Sequence, residues 1–106
     1  MNPAKRKRLE KAGWRVGSAR QLLGLTASEE LLIESKLALA DAVRAKRAKL
    51  GWTQARLAKE LGSSQSRVAK MEGGDRSVSI DLLVAALGQL GVTRRQLARV
   101  LSRHAA

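Results

Sequence analysis

Residues 53–72 read TQARLAKELGSSQSRVAKME. A short apolar-periodic helix is predicted over 54–61. Gly62-Ser63-Ser64 then supplies a tight turn, and a second short helix opens at Gln65 with Ser64 placed to cap it. Two short helices across a three- or four-residue turn containing Gly form the helix-turn-helix pattern. On a wheel of 100° per residue, Val68 and Met71 mark the buried side of the second helix. Ser66, Ala69 and Lys70 centre the opposite side, with Gln65 and Arg67 flanking it near the N-terminal end. Gln can bond adenine bidentately, Lys can reach the guanine edge and Ser can serve several bases. Ala69 is small enough to let such a helix sit deep in a groove.

Outward from this stretch the helix punctuation stays legible. Ser18 to Gln21, Thr26 to Glu29 and Thr93 to Gln96 each have the capping-box pattern. Glycines 13, 24, 51, 62, 73 and 91 follow expected helix ends, where a left-handed residue is wanted. No strand-like alternation of any length occurs, so the expected fold is all-α. The expected elements are a basic helix at 4–12, a single turn at 19–23 and a long helix at 27–50. Helices at 54–61, 65–72, 80–90 and 94–103 follow, with a loop at 73–78. The expected core joins Val43, Leu50, Leu57, Ala58, Leu61, Val68 and Met71 to Leu83, Ala86, Leu87 and Leu90, with Leu97, Val100 and Leu101 closing the end. The domain reading is a basic N-terminal extension over 1–25 and a helix-turn-helix domain over 26–106.

Composition narrows the function classes. The 106 residues carry a formal net charge of +12, and the chain is 44% hydrophobic and 28% charged. Such a charge points to a polyanionic partner. The excess is concentrated at the ends. Residues 1–25 carry Lys5, Arg6, Lys7, Arg8, Lys11, Arg15 and Arg20 against Glu10, and residues 80–106 carry four Arg against Asp81. No Cys is present, which excludes disulfides and thiolate metal sites. The sole His, His104, lies near the C-terminus, and the carboxylates are scattered, so no catalytic constellation, cofactor or metal is expected. With no Phe, no Tyr and two Trp, base-stacking platforms for single strands are not expected either. No apolar run approaches a membrane span, and the basic start lacks the apolar stretch of a signal peptide, so the expected location is cytoplasmic, at the nucleoid when bound to DNA.

Residues 43–74, VRAKRAKLGWTQARLAKELGSSQSRVAKMEGG, resemble the helix-turn-helix of the lambdoid phage repressors and Cro proteins, the XRE family. Arg47, Gly51, Thr53-Gln54, Leu57-Ala58, Leu61-Gly62, Ser64-Gln65-Ser66, Met71-Glu72 and Gly74 carry the resemblance. It implies a lambda-repressor-like five-helix domain, here with a short basic helical extension. Ser64, Gln65, Ser66 and Lys70 then fall at base-reading positions, and Thr53, Gln54, Arg67 and Arg76 at phosphate positions. Arg47 and Glu72 match a structural ion pair tying the long helix to the recognition helix. Two departures stand out: Ser63 replaces a common aliphatic residue, and Trp52 a common Leu, which makes Trp52 an expected half-buried core residue.

The layout as a whole resembles HigA-type antitoxins, which repress their own operon and bind a RelE-like toxin. That resemblance implies a RelE- or HigB-like toxin as partner. One recognition helix reads only a few base pairs, so a homodimer on two half-sites of double-stranded operator DNA is expected, and no small-molecule effector is expected because no segment is left to house a pocket. Glu29, Glu30, Glu34 and Asp41 on the long helix form a candidate face for a basic partner; the same acids also suit the positive end of a helix dipole. A module whose main task is toxin neutralisation is the alternative reading. The Lys5-Arg6-Lys7-Arg8 run has two open readings: an arm that follows phosphates or enters a minor groove, or a solvated tail. Trp14 and Val16 are expected to pin this segment to the domain.

Overall fold

A computed structural model describes residues 3–11 and 27–102. The expected turn at 19–23, the caps at Ser18 and Thr26, the pinning residues Trp14 and Val16, His104 and the domain boundary at 25/26 all lie outside the described residues. The described elements are six helices: α1 (Pro3–Lys11), α2 (Ala27–Lys49), α3 (Gln54–Leu61), α4 (Gln65–Gly73), α5 (Ile80–Gln89) and α6 (Arg94–Ser102). No strand occurs among the described residues. The architecture from α2 onward is an all-α, lambda-repressor-like helix-turn-helix domain.

Local chemistry accounts for the starts and stops. α2 begins with Glu29 and Glu30 and ends with Lys46, Arg47 and Lys49, a charge order that complements its dipole. Thr53, Ser64 and Ser79 cap α3, α4 and α5, each hydroxyl accepting an N–H three residues on. At α6 the capping box closes reciprocally. The Gln96 N–H donates to Thr93 Oγ1 at 3.2 Å, and the Thr93 N–H donates to Gln96 Oε1 at 2.9 Å.

Glycine has a conformational task at two places around the motif. Gly62 (φ 64°) takes the left-handed cap of α3 and turns the chain directly into Ser64. Gly74 (φ 72°) does the same for α4, and a Cβ there would lie 2.9 Å from Leu37 Cδ2. The expected cap at Gly73 is therefore displaced by one residue, because Gly73 completes the last helical turn.

The core forms where α2 crosses α4, α5 and α6, with α3 laid over α4 and α5. Val43, Leu57, Val68, Met71 and Ala86 are fully enclosed, and Leu39, Leu83, Leu87 and Leu90 nearly so. Two expected core residues stand outside. Leu50 is 44% exposed, because Gly51 (φ 73°) turns the chain immediately after it and brings Trp52 against the core instead. Leu101 is 47% exposed: α6 packs on α2 through Leu97 and Val100, a stripe too narrow to include it. Trp52 is half-buried, and the Arg56 guanidinium lies 4.5 Å from its ring centroid.

Candidate nucleic-acid interface

The orientation of α4 is set from behind. Val68 and Met71 anchor its inner side in the core. Glu72, 4% exposed, receives Arg47 Nε at 2.5 Å and Nη2 at 2.9 Å in a two-pronged ion pair. The third guanidinium nitrogen of Arg47 donates to the Trp52 carbonyl at 2.7 Å. Gln54 completes the group by donating Nε2 to Glu72 Oε1 at 3.1 Å. One carboxylate thus gathers the end of α2, the start of α3 and the end of α4. Its hydrogen bonds raise the Arg47 pKa above its already high ordinary value, so the cation persists at every working pH.

The outer side of α4 is open. Gln65, Ser66, Arg67, Ala69 and Lys70 are all exposed and follow one another along the face opposite Val68 and Met71. Ser64 is exposed too, but its hydroxyl is already engaged: it accepts the Arg67 N–H at 3.2 Å and lies 3.2 Å from Ser66 Oγ. Thr53 Oγ1 is occupied in the same way by the Arg56 N–H at 3.0 Å. Gln54 is half-buried with its amide nitrogen committed to Glu72, which leaves the Oε1 side for any outside contact. Arg76 is exposed on the loop after α4.

That loop is held by two residues the sequence reading passed over. Lys36 is 8% exposed and donates Nζ to the Arg76 carbonyl at 3.1 Å, which fixes the loop on α2. Burial lowers its pKa, and nearby Asp75 partly offsets this. Asp75 Oδ1 accepts both the Ser77 N–H (2.9 Å) and the Ser77 hydroxyl (2.6 Å). The Asp-x-Ser order after a glycine pair was the available signal for this turn. A lone Lys amid acidic neighbours carried none, since nothing local reveals which side of a helix a distant loop will cover.

The Ser77 bonds hold the Asp75 carboxyl below its ordinary 3.8. Its stabilising contribution is therefore complete above that value and is lost as pH falls through the depressed folded-state pKa. Asp75→Asn keeps an acceptor but cannot titrate, so its thermal-stability profile should be flatter than that of the parent in that acid range. Parallel profiles of variant and parent in acid melts would count against this assignment.

Of the acidic residues of α2, Glu30, Glu34 and Asp41 share one side of the helix and Glu29 lies a quarter-turn off. Glu29 and Glu30 are exposed at the helix start and Glu34 is half-buried one turn on. Asp41 is exposed further along and forms an ion pair with Arg8 of α1 at 2.7 Å. A charge pairing between residues 33 positions apart could not be read from local pattern.

A helix-turn-helix family model, HTH_3, matches residues 43–97, just over half of the chain. No curated protein and no solved structure matches it. Among the described residues no helix is long and apolar enough to cross a membrane. The matched span runs from Val43, in the last turns of α2, through both motif helices to Leu97 in α6, so it contains the whole framework that presents the open face of α4. The chain belongs to the XRE-type helix-turn-helix family of DNA-binding transcriptional regulators.

Proposed function

We propose that the protein is a sequence-specific regulator that binds a short operator as a homodimer and represses its own gene. The observation that carries this reading is the exposed polar face of α4, held rigidly by the buried Glu72 group behind it. Gln65, Ser66 and Lys70 read base edges, with Ser64 at the entry of the helix, and Ala69 allows close approach. Thr53, Gln54, Arg67 and Arg76 take backbone phosphates, and these contacts position the helix without reading sequence. A single α4 spans only a few base pairs, so two half-sites one helical turn apart supply the selectivity. Exposed Val84 and Leu101 offer apolar surface for the second copy.

Fluorescence anisotropy on the DNA upstream of its own gene, against a scrambled duplex over a salt series, tests the reading. Preferential binding that survives about 150 mM salt supports it; equal affinity that vanishes with salt leaves only a charge effect. In the same assay Gln65→Ala should cost about 1–3 kcal/mol on the operator and little on the scrambled duplex. Equal losses on both would remove Gln65 from base reading.

A second reading, an antitoxin that also neutralises a basic RelE-like toxin, is favoured by the start of α2. There Leu31 (68% exposed) and Leu32 (43% exposed) adjoin exposed Glu29 and Glu30. This apolar and acidic surface suits a basic partner. Co-purification with the product of a neighbouring gene supports it, and no complex at micromolar concentration counts against it.

A further inference from the structure

The open face of α4 does not end at Lys70. It runs on into a cleft of about 790 Å³ whose far wall is α1. Five cations line it: Lys7, Arg8 and Lys11 from α1, Arg44 from α2 and Lys70 from α4. Two carboxylates on its edge offset part of this charge, and Asp75 faces both Lys70 and Lys36. Glu72 is held by Arg47 and Gln54, and Asp75 accepts from Ser77. Among the described residues Lys7, Lys11, Arg44 and Lys70 form no salt bridge. Like charges gathered around one opening repel, and an anion in the cleft relieves that repulsion.

α1 brings Lys7, Arg8 and Lys11 to this wall. One of the three has a different task. Arg8 reaches back to Asp41 on α2 with both terminal nitrogens, at 2.7 and 3.3 Å. This pair joins α1 to the framework on the side where Lys7 and Lys11 border the cleft with Lys70.

We propose that the cleft is a second DNA-contacting site, in which Lys7, Lys11 and Arg44 hold backbone phosphates of the same duplex that α4 reads, and that the Arg8–Asp41 pair is the tether that sets α1 in place. The proposal rests on the DNA-binding reading above. α1 then extends the footprint beyond the recognition helix at a fixed position, and its contacts are with phosphate, so they are independent of base sequence.

The test is the salt dependence of binding by the full chain, on the upstream duplex and on a scrambled one. Each phosphate contact contributes about 0.9 to the slope of log K against log salt. Lys7→Ala/Lys11→Ala should lower that slope by about 1.8 on both duplexes and leave the ratio between them unchanged. Arg44→Ala should lower it by about 0.9. Asp41→Asn is the discriminating variant. It makes the protein more positive, so charge alone dictates tighter binding, whereas loss of the tether dictates weaker binding with a slope reduced toward that of the double lysine variant. The exchange Arg8→Asp/Asp41→Arg should restore the parent slope. An unchanged slope for the double lysine variant overturns the cleft as a phosphate site, and so does tighter binding by Asp41→Asn. If these variants fail while the parent still prefers the upstream duplex, only this proposal falls. If the parent binds neither duplex, the DNA-binding reading falls with it.

Discussion

Glu72→Ala is expected to cost about 3–5 kcal/mol of folding stability and to lower Tm by more than about 10 °C. The cost does not come from the worth of the ion pair itself. It comes from what the truncation leaves behind. The Arg47 side chain is only 16% exposed, and without the carboxylate its charge sits desolvated beside the Trp52 carbonyl alone. Gln54 Nε2 loses its acceptor at the same time. A domain of this size has about 5–15 kcal/mol in total, so a substantial part of the population is unfolded on modest heating. Denaturant melts with an unchanged m-value measure the loss.

The double variant Arg47→Met/Glu72→Leu separates the two explanations. Replacing a buried pair by apolar groups of similar volume is often close to neutral. It should recover most of the stability, while operator affinity recovers only in part because Gln54 is no longer held. A loss below about 1 kcal/mol for Glu72→Ala would show that the cluster is well hydrated in solution and would sink the argument.

The second large effect is expected at Leu57, which is fully enclosed between α2, α4 and α5. Leu57→Ala should cost about 2–5 kcal/mol, the sum of lost transfer energy and an unfilled cavity. Val43, Val68 and Met71, in the same cluster, are themselves fully enclosed and have little room to shift. α3 and α4 touch through this residue, so the angle between the two motif helices should loosen, and operator affinity should fall along with stability. Leu50→Ala is the matched control. The same deletion at a site 44% exposed should stay within about 0.5 kcal/mol. Equal losses at the two positions would mean that Leu50 is covered in solution, by a second copy or by a segment outside the described residues.

The helices were legible because their signals are local. Ser64 and Gly62 state where one helix stops and the next begins within a span of three residues, and Thr53, Ser79 and Thr93 act in the same way. The apolar side of α5 could be read at spacings of three and four, because helical geometry fixes those neighbours wherever the helix is placed. The exposed side of α4 followed from the same geometry, as the complement of Val68 and Met71. Arg47 and Glu72 came through family resemblance, since they are 25 positions apart and no local pattern joins them.

The helical alphabet, the position of the motif and the sign and location of the charge are all written locally in the chain. These depend on residues within a turn or two of one another, or on simple totals. Folding is what selects which of two apolar residues around Gly51 enters the core, turns Lys36 toward the loop, pairs Asp41 with Arg8 and lays α1 across a basic cleft from Lys70. Each of these is a contact between distant segments, set by how helices cross and which surfaces they cover. Burial and long-range charge pairing exist only once the chain has folded, because the free energy that fixes them comes from surfaces that no local stretch contains.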